Sequence, residues 1–460
     1  MMKRSMCRGL LLIFLIVFFA SCTKEVETVP TKIEGEKAGG ETTVYLQSST
    51  AISSPAPNLT ANNLEKHLKG DAAFEDIFVS GDSPVNGGLG PIFNNNSCIS
   101  CHPGDGRAAF PIQLNDISGF FFKISVPGTD ENNGPAPVEG FGTQLQHQAN
   151  YGYAKEAEMA IEYENIEMIF DDGTAITLKK PVYSIINPYT ALPANVMLSP
   201  RIGMPVFGLG LLEAIPEDDI VANADMNDMD GDGISGKPNY VWDPVSETTA
   251  LGRFGWKAGT PSVLVQSAGA YNEDMGVTNP VKPVESSYGQ TNGDNAEHAV
   301  ELDMETLENV TFYAMTLGVP AGRNFDDPEV VQGRKLFEKI NCTACHVPSF
   351  NTGHFEGIPE ISNQKIYPYT DMLLHDMGDG LADNRPEYLA NGKEWKTRPL
   401  WGIGLTNLAN GHTHFLHDGR AANLTEAILW HGGEAEKSRD EFMKLSKSER
   451  DALLTFLNAL

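Results

Sequence analysis

Cys98-Ile99-Ser100-Cys101-His102 and Cys342-Thr343-Ala344-Cys345-His346 are the two stretches on which the reading of this chain turns. Each sets two thiols three positions apart with a histidine directly behind them. That spacing lets the thiols form thioethers with a haem while the next residue's imidazole ligates its iron. A bare CxxC also serves zinc sites and dithiol redox centres. A histidine behind both pairs, in a chain with only 11 His among 460 residues, selects the haem reading. Two covalently bound haem c groups are expected, one on Cys98, Cys101 and His102, the other on Cys342, Cys345 and His346.

The rest of the cysteine count agrees. Met1–Ser21 has a basic start (Lys3, Arg4, Arg8), an apolar run from Leu10 to Ala20 and small residues ahead of Cys22, which reads as an export signal too short to span a membrane. Phe19-Ala20-Ser21-Cys22 resembles the lipobox of bacterial lipoproteins, which implies a lipid on Cys22; the alternative is an ordinary signal peptide cut nearby. Cys7 leaves with the signal, so no thiol remains for a disulfide or a nucleophile. Export to the periplasm or cell surface also fits haem attachment, which bacteria perform outside the cytoplasm.

Residues 22–63 are rich in Thr, Ser, Glu, Gly and Pro and read as a flexible tether. The formal net charge is −28, from 33 basic and 61 acidic residues, and becomes −31 once Lys3, Arg4 and Arg8 are gone. Such a surface repels nucleic acid and suits a basic electron donor.

The expected architecture is mainly α: two cytochrome c-like haem domains with a β-containing insertion between the haem motifs. Residues 64–296 form the first domain and 297–460 the second. A short amphipathic helix should precede each motif, at Gly90–Asn94 for the first and Gly333–Asn341 for the second. Ser446 and Glu449 form a capping-box signature ahead of Leu453, Phe456, Leu457 and Leu460, the pattern of a closing helix. Phe120–Val126, Ile166–Phe170 and Ala175–Leu178 read as strands, the last two joined by Asp171-Asp172-Gly173. Glu297–Leu317 reads as a helix, with Val300, Leu307, Val310 and Leu317 on its apolar positions, and no internal repeat is evident beyond the haem motifs. Asp228, Asp230 and Asp232 alternate around glycines, which suits Ca²⁺ or, equally, a solvated acidic turn; Asn239 stands where an EF-hand carries Glu.

A haem ligated on both faces passes electrons, and one with an open face binds peroxide or oxygen. The sixth ligands therefore decide function. Phe415-Leu416-His417-Asp418-Gly419-Arg420, followed by a short helix to Trp430, resembles the bacterial dihaem cytochrome c peroxidases and their MauG-type relatives. In those peroxidases a distal Met lies fourteen residues beyond that His; here the place is taken by His431. His431 is the candidate distal ligand of the second haem, against His375, His417, Met372, Met377 or a mere helix cap. The same resemblance implies Gln148 as a polar residue over the first, reactive iron and Glu158 as its acid–base group. Two alternatives stand beside it: Glu156 and Glu158 form a solvated face, or His147 fills the open position. The tryptophan that peroxidases set between their haems has no counterpart near Val138.

Longer strings carry a closer resemblance. Ser199-Pro200-Arg201, Gly208–Ile215, Asp230–Gly236, Phe254-Gly255-Trp256-Lys257, Pro368–Gly378 and Ile428–Ala435 are similar to the dihaem oxidoreductase family, once labelled thiol oxidoreductases. The resemblance implies a peroxidase-like enzyme that takes electrons from an external donor at the C-terminal haem and passes them to a peroxide-reactive N-terminal haem. It also leaves room for a homodimer, as in the related peroxidases. The rival readings are an electron-transfer lipoprotein with both irons six-coordinate, and a non-catalytic component of haem or iron handling.

Overall fold

Two packed helix pairs carry the CxxCH motifs in the computed structural model, which describes residues 34–81, 83–295 and 299–460. The stretch expected to be an export signal, and Cys22, lie outside the described residues.

The first pair begins at Thr60, whose hydroxyl accepts from the Asn63 amide and starts the helix Ala61–Glu75. His67, Gly70 and Phe74, three and four residues apart, are its buried face. They lie on the helix Met304–Thr316, which Asp303 caps by accepting from the Thr306 amide. In the second pair, Asp327 and Pro328 start the helix Pro328–Lys339, with Val330, Gly333, Leu336 and Phe337 turned inward. Its partner is Lys447–Ala459, which opens on the expected Ser446–Glu449 capping box.

The pairs are built alike, a repeat that the sequence reading missed. A Cβ on Gly70 would stand 2.0 Å from the Asn309 carbonyl and 2.7 Å from Tyr313 Cβ; on Gly333 it would stand 2.0 Å from the Ala452 carbonyl and 2.7 Å from Phe456 Cβ. Four residues after each glycine comes a phenylalanine facing the motif histidine. Phe74 lies 6.3 Å from His102 and Phe337 lies 6.1 Å from His346, between ring centroids. The only sequence trace is Gly-x-x-x-Phe at unequal distances from the two CxxCH motifs. Gly333→Ala should therefore cost about 1–3 kcal/mol through overpacking. Gly269→Ala, in the middle of the helix Val263–Met275 where a Cβ meets open space, should instead gain roughly 0.5–1 kcal/mol. Urea unfolding of the two variants checks both signs.

Three expectations need correction. No helix stands at Gly90–Asn94; Ile92–Phe93 is a strand paired with Gln148–Ala149, and the helix of the first motif is Ala61–Glu75. Five residues containing Gly90 and Pro91 cannot nucleate a helix, whereas Ile92 and Phe93 suit a half-buried pairing. The tether ends earlier than its composition suggests: Thr43–Val44 pairs in parallel with Val319–Pro320, and Ala51 and Ile52 are buried. The small residues there permit close packing, since a Cβ on Gly39 would sit 2.7 Å from Val319 Cβ. Finally, the helix Met304–Thr316, expected in the C-terminal domain, closes over the first motif, where the Thr316 hydroxyl meets His67 Nδ1 at 2.8 Å.

The strands of the described residues form seven two-stranded sheets. Phe120–Ser125 pairs antiparallel with Met197–Ile202. The expected hairpin is longer than its apolar segments, running from Glu158–Ile169 into Ala175–Ile186. Its tip reaches the C-terminal helices: Asp172 pairs with Arg450 at 2.6 Å and Phe170 packs on Phe442. The insertion thus shares one apolar core with the second helix pair, in which Phe120, Phe337 and Phe456 are all buried. Among the described residues no helix is long and apolar enough to cross a membrane.

Two candidate haem sites

At the first motif, Ser97 caps the turn Cys98–Cys101 and the His102 amide donates to the Cys98 carbonyl at 2.9 Å. The Cys101 carbonyl is pressed against two glycines, where a Cβ on Gly119 or Gly203 would come within 2.7 or 2.5 Å of it. His102 Nδ1 donates to the Met204 carbonyl at 2.6 Å. At the second motif the His346 amide returns to Cys342, and His346 Nδ1 donates to the Tyr369 carbonyl at 2.9 Å. A carbonyl on Nδ1 puts the ring proton there and leaves Nε2 free to accept a metal, the usual outer-shell arrangement of a metal-bound histidine. The cysteines make no disulfide, and burial pushes the Cys98 and Cys342 thiols up to about 12. Such thiols are poor nucleophiles. The older thiol-oxidoreductase label has no support in this geometry.

A cavity opens at the second motif. Cys342, Cys345 and His346 line it together with His431, Trp395 and Phe415. His431 follows the helix Leu424–Leu429, and its Nδ1 donates to the Ala427 carbonyl at 2.7 Å, again leaving Nε2. Burial lowers His102, His346 and His431 from the usual imidazole value, which favours the neutral form that iron ligation requires. Among the competitors, His375 has both nitrogens spent, on Asp371 at 2.7 Å and Glu434 at 2.6 Å. Burial opposes its charged form, but the bonds to these carboxylates outweigh that and raise it well above the ordinary value, and neither ring nitrogen is left free for a metal. Met372 is buried outside the cavity lining; Met377 and His417 line it, with the His417 ring stacked on Trp395 at 3.9 Å.

The residues expected over the first iron are placed differently. Glu158 is not in a pocket: it begins the hairpin at the surface, paired with Lys155 at 2.7 Å and bonded to Asn187. The bond to Lys155 pulls its carboxyl below the usual range, the reverse of what a proton-returning acid needs. The alternation of strand side chains sets Glu158 outward, whereas Glu156, just before the strand, is wholly buried and burial raises it well above the carboxylate range. Gln148 is half-buried and donates to the Asn115 carbonyl at 2.7 Å.

His147 is buried beside the first motif, through Asn94 and its neighbour Asn95, whose amide reaches Cys101 Sγ at 3.0 Å. Its tautomer is the opposite of the other three. Asn94 Oδ1 accepts from Gln144 at 2.5 Å and its Nδ2 donates to the Leu145 carbonyl, which fixes the amide. The same Nδ2 therefore donates to His147 Nδ1 at 2.8 Å and leaves the ring proton on Nε2, toward the Asp116 carbonyl at 3.4 Å.

In the acidic loop, the carboxylates brought together are Asp225, Asp228 and Asp230. Asp232 is occupied as a turn acceptor for the Ile234 amide at 2.8 Å. The loop is tied to the second site through Ser235, which donates to Glu434, the partner of His375.

The family described as "Di-haem oxidoreductase, putative peroxidase" matches residues 32–460. The chain belongs to this family. Membership implies haem cofactors and oxidoreductase as the class of activity. Among solved structures, hydrazine synthase of Kuenenia stuttgartiensis pressurised with xenon is similar at 18% identity and a TM-score of 0.23, over 39% of this chain and 65% of that one. No curated protein matches the chain.

Proposed function

We propose that this dihaem oxidoreductase is a c-type, peroxidase-like enzyme, in which the C-terminal haem takes electrons from an external donor and the N-terminal haem reacts with peroxide. The supporting observation is the unequal supply of ligating histidines. His346 and His431 both offer Nε2 to the cavity of the second motif. At the first motif His102 has that tautomer, whereas His147, the candidate for the open position, is held with its proton on the wrong nitrogen. Haem supplies one-electron transfer where both faces are ligated and a peroxide-binding face where one is open. The two cytochrome c-like domains belong to this reading, as does export with a lipid on Cys22.

The chain also keeps the two centres close. Arg107 stands five positions after His102 and lines the second cavity. A chain of that length spans at most about 18 Å. The acidic surface suits a basic donor protein.

The test is spectroscopic, on holoprotein purified from a host that matures c-type cytochromes. One low-spin and one high-spin haem are expected, the latter perturbed by peroxide in the half-reduced protein. His431→Ala should turn the low-spin signal high-spin, and His147→Ala should leave the first haem unchanged. Low-spin signals from both haems, with no peroxide response, would instead support the electron-transfer reading that the nearness of His147 favours.

A further inference from the structure

The second cavity contains a feature the ligands do not explain. Arg107 and Lys396 are buried in its wall, 8% and 3% exposed, and Arg398 has its Nε buried there without a hydrogen-bond partner. Arg107 and Arg398 share the ring of Trp256, at 5.6 and 5.2 Å from its centroid. The contacts found for these cations are carbonyls: Lys396 donates to the Arg253 carbonyl at 2.5 Å and Arg107 to the Leu416 carbonyl at 3.4 Å. Among the described residues no carboxylate forms an ion pair with any of the three, although the chain has 61 acidic residues. Burial lowers Arg107 to about 10 and Arg398 to about 9, with their mutual repulsion adding to the second shift. Lys396, which burial also lowers well below the ordinary lysine value, joins the buried Arg107 and the half-buried Arg398, and charging such a group is costly unless anions arrive from outside the chain.

We propose that Arg107, Lys396 and Arg398 hold the two propionate carboxylates of the haem joined to Cys342 and Cys345. This rests on the covalent-haem reading above. A porphyrin fixed by thioethers along one side carries its two carboxylates on another edge, and both must be neutralised where water is excluded. Guanidinium groups suit carboxylates because their N–H donors form a planar fork. Arg107 then has a second consequence. It belongs to the segment that leaves His102, so the chain holding the first iron's ligand also holds the second porphyrin's anionic edge.

Charge near a haem sets how readily it is reduced. Removing a cation favours the oxidised iron and lowers the potential. The holoproteins Arg107→Gln, Arg398→Gln and Lys396→Met are titrated by spectroelectrochemistry, with haem counted after acid extraction. Lys396→Met replaces charge at similar volume and guards against a misfolded arginine variant. The expected result is two covalent haems and a low-spin couple whose reduced-to-oxidised ratio at fixed potential falls about tenfold, or ~59 mV for one electron. Arg107→Lys and Arg398→Lys, which keep the charge, should stay within about threefold of the unmodified protein. Added inorganic phosphate should leave that couple where it is, because the site is already filled. The proposal is overturned if the couple does not move in any charge-removing variant with both haems present, if only the other couple moves, or if phosphate shifts the unmodified protein. Loss of all colour to acid extraction from the unmodified protein overturns the covalent-haem reading itself.

Discussion

A Cys342→Ser/Cys345→Ser chain, matured in a host that makes c-type cytochromes, should retain one covalent haem after acid extraction where the unmodified chain retains two. What remains should be the centre on Cys98, Cys101 and His102, with the high-spin spectrum of an iron ligated by His102 alone. The reciprocal Cys98→Ser/Cys101→Ser chain should keep the low-spin centre. The stability consequence should differ between them. The second motif opens onto an apolar cavity that also contains buried, uncompensated cations, so a poorly held porphyrin leaves both exposed to their full cost. A loss of about 3–5 kcal/mol is the scale expected for a buried charge left without its partner. Denaturant unfolding of the serine variants gives the number. Equal haem counts in the variant and the unmodified chain would remove the basis for assigning one thioether-bound haem to each motif.

Much of this was legible because it is written locally. CxxCH is a spacing; the Ser446–Glu449 cap and the apolar positions behind it are a period; the Asp171-Asp172-Gly173 turn is a dipeptide-scale signal. What escaped depends on contacts across the chain. The helix Ala61–Glu75 lies well upstream of Cys98 and is only weakly amphipathic, its buried face being one histidine, one glycine and one phenylalanine. Segment 34–59 looks like a linker because its residues are small, yet smallness is what lets Gly39 and Gly40 approach Val319 and Gln364. The fixed offset of Glu158 from Gln148 says nothing about which side of a strand it faces, and the fold sets it at the surface beside Lys155. His375 and His431 cannot be separated by composition. The carboxylates of Asp371 and Glu434, one of them 59 residues away from His375, disqualify the first, and only the fold brings them together. Arg107 and Arg398 carry no motif at all, and Asp105 and Glu394 lie close to them in sequence, so only the fold shows that neither arginine forms an ion pair.

Lys257→Met should be the most damaging single change away from the haems, at about 3–5 kcal/mol. Lys257 and Asp383 are both 0% exposed and meet at 2.8 Å. The other two ammonium hydrogens go to the Arg385 and Asn391 carbonyls at 2.8 and 2.9 Å, so methionine strands three acceptors at once. Asp383 would keep only the Ser199 hydroxyl, the Arg385 amide and a longer approach from Arg201 at 3.7 Å. The pH dependence separates lost charge from lost shape. Burial lowers Lys257 to about 8 against the pull of Asp383, while an unfolded lysine titrates near 10.5. Between those values the unfolded chain binds more protons than the folded one, so this group makes stability rise with pH, by at most about 1.4 kcal/mol per pH unit. Below pH 8 its burial cost is present in full. The variant lacks the group, so the gap between the two proteins should widen from pH 8 to pH 10 in urea titrations. Parallel curves would mean that the damage is packing alone. A spectroscopic effect should accompany it, because Lys257 lies 4.7 Å over Trp395, and Trp395 stacks on His417 in the wall of the second cavity. Loosening that stack should broaden the low-spin signal of the second haem while leaving the first unchanged, which ties the buried ion pair to the shape of the site it supports.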